Sequence, residues 1–250
     1  YERQTRWENE YDAFNHWRAA VESVGAVVFQ VRDVSTKEMR GFSLNGTTPF
    51  PAIALNISDP VRARIFTLAH ESTHLALRDA GLCDLEDEQS RPPEELATEI
   101  FCNHAAGAAM IPRDYLLAEP EVRSQQGLAS WSDATIEALA TRYRASREVV
   151  VRRLLVLGRA TSDFYKRKRS QFGAEYLKFL ATQKAKAAEK GTSGFAPPAT
   201  VALSTAGQLF TRLVLDGYER EIITSSDVAD YLDIRLKHLP KIERAIARSG

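Results

Sequence analysis

Apolar residues recur along this chain with two different periods, and the changes of period mark out its elements. In residues 6–23, Trp7, Tyr11, Phe14, Trp17 and Val21 return every three or four positions, the spacing of an amphipathic helix, and Gly25 ends it. Shorter apolar runs follow. Ala26–Val31, Arg40–Leu44 and Ala52–Ile57 read as strands, with Asn45-Gly46, Pro49 and Pro51 as turn signals between the last two. They predict a small antiparallel or mixed sheet. Ser58-Asp59-Pro60 opens a helix expected over about 60–80 and stopped by Gly81; Arg91-Pro92-Pro93 opens another over 94–110, stopped by Ile111-Pro112.

Beyond that point the period is helical throughout. Ile136, Leu139, Ala140 and Tyr143, then Ala145-Ser146, then Val149, Val150, Leu154 and Leu155 give a helix, a short turn and a helix over 133–157, helix-turn-helix-like in spacing. Residues 183–198, rich in Lys, Ala, Gly, Ser and Pro, read as a linker or flexible loop. The tail 203–250 returns to helix, with Thr224-Ser225-Ser226-Asp227 starting a short one over 227–232, so that it weakly echoes the earlier pair. The expected class is α+β, divided along the chain into 1–130, 131–182, the linker 183–198 and 199–250.

Composition narrows the class without naming a function. A chain of 250 residues, 44% hydrophobic and 26% charged, has the balance of a soluble globular protein large enough to bury a good core. No apolar run approaches 18 residues and the N-terminus is not signal-like, so neither a membrane span nor a secretion signal is expected. The chain begins at Tyr1 without a methionine, which leaves room for an upstream domain. Two cysteines, Cys83 and Cys102, make no disulfide framework, and a cytoplasmic location is the expectation. Net charge is zero but unevenly spread. Residues 84–99 carry seven acids against Arg91, whereas 142–169 carry ten Arg or Lys against Glu148 and Asp163.

The chemistry-bearing stretch lies inside the 60–80 helix, in Phe66-Thr67-Leu68-Ala69-His70-Glu71-Ser72-Thr73-His74-Leu75. Residues four apart share a helix face, so His70 and His74 can offer two imidazole nitrogens to one ion while Glu71 sits one step round, the zinc-peptidase arrangement. A catalytic zinc takes three protein ligands and leaves one position open. Glu94, Glu95, Glu99, His104 and the two cysteines are candidates for the third. Glu99 is preferred, because it is followed by Ile100-Phe101 and a long alanine-rich apolar run, and Asn103, four residues on, can orient its carboxylate.

These residues resemble the ImmA/IrrE family of regulatory zinc peptidases. The likeness is carried by Phe66-Thr67-Leu68-Ala69-His70-Glu71-x-x-His74-Leu75, by Glu99-Ile100-Phe101-Cys102-Asn103-His104-x-Ala106 and by Met110-Ile111-Pro112. Arg40-Gly41-Phe42-Ser43 before them and Ala140-x-x-Tyr143-x-x-Ser146-x-x-x-Val150-x-x-Arg153-Leu154 after them agree. It spans about 25–160, and the tail 203–240 reads like the extended members. The resemblance implies a zincin-like metallopeptidase domain over 1–130, one zinc ion held by His70, His74 and Glu99, and Glu71 as general base acting on a zinc-activated water. It also implies a narrow substrate, a helix-turn-helix transcriptional repressor cut in response to stress or DNA damage, which releases stress, mobile-element or phage-defence genes. Ser72-Thr73 depart from the family pattern, where an apolar residue and a glycine are usual, and touch no ligand. His104 and Tyr115 are candidates to stabilise the oxyanion.

Two further expectations concern control. Cys83, on the acidic stretch between the two ligand-bearing helices, is a candidate inhibitory fourth metal ligand, with Cys102 a weaker one. The basic cluster around the helix-turn-helix-like pair, Arg152 and Arg153 above all, supports a rival reading as a nucleic-acid-binding regulatory protein with a structural or inactive metal site. The bland alternative is a solvated basic face. Single-stranded DNA as an activator would join the two functions.

Overall fold

The computed structural model describes residues 4–45, 50–78, 82–83, 93–125, 127–128, 130–190 and 197–248. In chain order the elements are α1 (Glu10–Ser23), β1 (Val27–Val31), β2 (Gly41–Leu44), β3 (Ala52–Asn56), α2 (Val61–Leu77), β4 (Leu82–Cys83), α3 (Pro93–Met110), α4 (Arg113–Ala118), α5 (Pro120–Arg123) and α6 (Asp133–Arg142). They continue with α7 (Arg147–Val156), α8 (Ser162–Lys190), α9 (Pro198–Ala206), α10 (Gln208–Glu219), α11 (Ser225–Leu232) and α12 (Leu239–Ala247). The class is α+β, mostly helical, as expected. By contact the chain forms two compact units that do not follow chain order: Tyr1–Ala13 with Ala97–Gly194, and Phe14–Leu96 with Phe195–Gly250.

The second of these holds the sheet, in the order β1-β3-β2-β4. β1 and β3 run parallel with Val28 opposite Ile53, β2 returns antiparallel to β3 with Phe42 opposite Ala54, and two-residue β4 adds Leu82 and Cys83 opposite Phe42 and Gly41. The sheet is therefore mixed. Its apolar residues Val28, Ile53 and Leu55 are buried together with Ile65 and Leu68 of α2, which packs on β2 and β3. That approach is close at one point. A Cβ placed on Gly41 would lie 2.5 Å from Thr67 Cγ2 and 3.0 Å from the Ala54 carbonyl oxygen, so β2 and the helix meet where a side chain is missing.

The C-terminal helices belong to the same unit as the sheet. α9 and α10 pack on β1, Phe29 meeting Phe210 edge-on with ring centroids 5.0 Å apart. A buried polar network fixes them. Arg18 Nη1 and Gln30 Nε2 each donate to the Ser204 carbonyl at 2.6 Å, and Leu209 N–H donates to Glu22, which also pairs with Arg18. Gly207 joins α9 to α10 at φ 82°, where a Cβ would collide with Glu22 and Arg18. The four helices have their own apolar core, including Ala202, Val214, Val228, Leu232 and Ile242.

The other unit is built from helices around buried Cys102, Met110, Leu116, Val122, Ile136, Leu139, Leu154 and Tyr143. The expected helix, turn and helix is present as α6 and α7, each capped by a serine, Ser132 and Ser146, whose hydroxyl accepts from the backbone three residues on. Arg144 in the turn is left-handed at φ 50°.

Several expected boundaries move, each for a local reason. α1 starts at Glu10 because the Asn9 side chain accepts from the Tyr11 and Asp12 N–H groups. α2 ends at Leu77, closed by left-handed Arg78, and Gly81 lies outside the described residues, as do positions 46–49 of the expected turn. The expected linker 183–198 begins as helix: α8 runs to Lys190, because Gln183–Lys190 consists of strong helix formers. Positions 191–196 lie outside the described residues. Among the described residues no helix is long and apolar enough to cross a membrane.

Candidate metal centre

α2 delivers the two histidines from one helical turn. Its N-terminus follows Pro60, and Arg64, Ile65, Phe66, Thr67 and Leu68 are all buried, so the next turn is carried inside the protein. His70 and Glu71 are 0% exposed and His74 is 1% exposed. The two imidazoles face each other with Nε2 to Nε2 3.0 Å apart. Nitrogens held at about 2.0–2.1 Å around a tetrahedral ion stand roughly 3.3 Å apart, so this pair is spaced to chelate. Ser72 and Thr73 turn their hydroxyls back to the carbonyls of Leu68 and Ala69, at 2.7 and 2.9 Å. The departure at these two positions is absorbed by the helix's own backbone.

On α3, Glu99 is 7% and Asn103 5% exposed, whereas Glu94, Glu95 and His104 are exposed. The reason for Glu99 is not the one read from its neighbours: Ile100 and Phe101 are 59% and 54% exposed, so burial follows the helix face and not the apolar run. The Asn103 amide oxygen has no hydrogen-bond partner among the described residues. His70, His74 and Glu99 form a buried cluster in which one ligand atom from each lies within 4.8 Å of the others. Two imidazole nitrogens and one carboxylate form a zinc-type donor set, and the residues present fit a metal ion.

The model of one protein family, described as the IrrE N-terminal-like domain of Peptidase M78, matches residues 22–155, more than half of the chain. The chain belongs to the Peptidase M78 family. A search of curated proteins finds none that matches it. The M78 match begins within α1 and ends within α7, so it takes in the sheet, the metal helix and the helix bearing Glu99. It gives the chain a metallopeptidase-type domain of a regulatory kind, and the buried cluster is compatible with its metal.

The other expected site residues are placed as follows. Cys83 lies in β4, its backbone paired with Gly41; its side chain lies outside the described residues. Cys102 is buried in α3. Tyr115 is 45% exposed. Arg152 pairs with Glu148 at 3.2 Å and stands over the Tyr165 ring, and Arg153, 4% exposed, donates from Nε to the Ile111 carbonyl at 2.9 Å. Arg153 is thus largely enclosed by the protein, with its Nε committed to the Ile111 carbonyl.

Sequence patterns missed the supports of the metal helix. Arg64, one and a half turns before His70, is buried, hydrogen-bonded to Gln30 and stacked over Phe14 at 5.1 Å, so α2 is tied to β1 and α1. An arginine on an otherwise buried helix face was the signal.

Proposed function

We propose that this chain is a zinc-dependent regulatory endopeptidase of the cytoplasm, with a helix-turn-helix transcriptional repressor as substrate and stress or DNA damage as the trigger. The observation that carries the reading is the buried pairing of His70 and His74 at 3.0 Å, with Glu71 fully buried beside them on the same turn. A bound zinc would be held by His70, His74 and Glu99 and would supply a Lewis acid that polarises a peptide carbonyl and acidifies water.

The remaining work falls to protein side chains. Glu71 is the general base: it accepts the proton of the attacking water and returns it to the leaving amine. Asn103, one turn on from Glu99, is given the role of orienting its carboxylate once the metal is bound, and burial keeps bulk water from competing for the ligands. Cys83 is assigned the restraining role of a fourth ligand, released by oxidation or by movement of its strand, and single-stranded DNA is the activator to test first. Incubating the chain with the product of the neighbouring gene, with and without a chelator, tests the assignment. Cleavage that disappears with chelator and in Glu71→Gln, while Glu71→Gln still binds zinc, supports it. Cleavage that survives Glu71→Gln overturns it.

A further inference from the structure

The basic segment singled out in the sequence is largely used up within its own unit. Arg142 pairs with Glu119 and Glu121, Arg144 donates to the Trp7 and Glu8 carbonyls, and Arg147 pairs with Glu137 and Glu175. Arg152 and Arg153 are occupied as described, and Lys168 pairs with Asp133 at 2.7 Å. On this segment Lys166 and Arg167 remain exposed with no ion pair among the described residues.

The opposite holds at the end of the chain. α11 is closed at its start by a capping box between Thr224 and Asp227, and it stops at Asp233, which is left-handed at φ 49°. Three residues, Asp233, Ile234 and Arg235, then lead into a 3-10 turn over Leu236–His238 that runs straight on into α12. This is a short helix, a tight turn with a left-handed residue and a second helix, the design seen in α6 and α7. Leu239 and Ile242 are buried and Ile246 packs against the same core, at intervals of three and four. Lys237, Lys241, Arg244 and Arg248 fall four, three and four residues apart, so they form one stripe about opposite the buried one. All four are exposed, Arg235 in the turn is exposed too, and none makes an ion pair among the described residues. Arg244 has one bond, from Nε to the Pro240 carbonyl at 2.9 Å. Glu243 is the acid on this helix, and its position in the turn puts it on the flank of the stripe.

We propose that α11 and α12 form a docking module for double-stranded DNA, with the stripe Lys237, Lys241, Arg244 and Arg248 set against the phosphate backbone. At 1.5 Å rise per residue the stripe is about 16 Å long, and duplex DNA offers a negative charge roughly every 1.7 Å of its axis along that length. The stripe contains no aromatic side chain, which sets it apart from the stacking platforms that hold single strands and from the aromatic anchors of protein interfaces. A helix presented on a short turn also has the diameter to enter a major groove about 12 Å wide.

The test uses the full chain and a 30-base-pair duplex in a salt series read by fluorescence anisotropy. Four phosphate contacts give a slope of log affinity against log salt of about −3 to −4, roughly a hundred-fold loss between 50 and 200 mM. The variant Lys237→Gln, Lys241→Gln, Arg244→Gln, Arg248→Gln should lose most of that slope and bind at least about ten-fold more weakly in 50 mM salt. Circular dichroism and an unchanged Tm confirm its fold. Lys166→Gln with Arg167→Gln should leave the slope intact, and so should Glu71→Gln, because the module does not depend on the metal centre. Duplex binding that survives in the quadruple variant, that is lost instead in the Lys166, Arg167 pair, or that is matched by a single strand or by polyglutamate of equal charge overturns the proposal.

Discussion

Under the metal helix the sheet leaves no room for a side chain at Gly41, and one methyl group should be enough to disturb the packing. In Gly41→Ala the added Cβ falls 2.5 Å from Thr67 Cγ2, 3.0 Å from the Ala54 oxygen and 3.3 Å from Leu55 Cδ2. Carbon atoms rest about 3.5–4.0 Å apart, so Thr67 or its helix has to move by roughly 1 Å. Thr67 is β-branched and 2% exposed, which leaves its side chain little freedom to turn away. Overpacking of this kind costs about 1–3 kcal/mol, and at about 2–4 °C per kcal/mol in a chain of this size Tm should fall by roughly 2–12 °C. Thr67 precedes His70 by three residues on the same face, so the displacement reaches that imidazole, and under the proposed zinc assignment metal affinity should fall by about ten-fold or more. Urea unfolding, with an unchanged m value, reads the first effect, and competition against a chromogenic chelator reads the second. Thr67→Ser removes the methyl that is struck, so the double variant should regain part of both losses. A Gly41→Ala protein with unaltered Tm and zinc affinity, or a clash that Thr67→Ser does not relieve, would refute the packing argument.

Other consequences can be measured separately. Arg153→Met keeps the aliphatic stem but leaves the buried Ile111 carbonyl without its donor, and thermal unfolding should register a loss of about 1–3 kcal/mol. Asp59 is 2% exposed, with Arg40 3.8 Å away, and burial raises its pKa despite the attraction of Arg40 and Arg64. A carboxyl whose folded pKa is raised favours folding while protonated and loses that contribution as pH rises through its folded value. Asp59→Asn should therefore gain stability over the parent at neutral pH, with the gap closing as pH falls toward the ordinary aspartate range; a gap that widens on acidification would contradict the sign. Zinc at a hundred times its Kd should add about 2.7 kcal/mol to the unfolding free energy, and chelator should remove it, with Glu99→Gln blunting both shifts in a thermal scan. Cys83→Ser should raise basal repressor cleavage in a time course, and an unaltered rate would exclude the thiol as a restraint.

What the sequence settled by itself is what depends on local period. His70 and His74 are four residues apart on an apolar helix, and helical geometry alone puts their rings together. The same holds for the three longer strands and the capped pair α6 and α7; the preference for Glu99 over Glu94 and Glu95 leaned on apolar neighbours that are themselves exposed. Tertiary structure decided everything that needed a partner far along the chain. It spent Arg152 and Arg153 on Glu148 and the Ile111 carbonyl, made Gly41 a point of contact for α2, and brought the helices after 197 onto β1 through Arg18, Gln30 and Ser204. A charge or a glycine reads alike in solvent and in a core; only its neighbours in space say whether a cation is paired or a missing side chain is required.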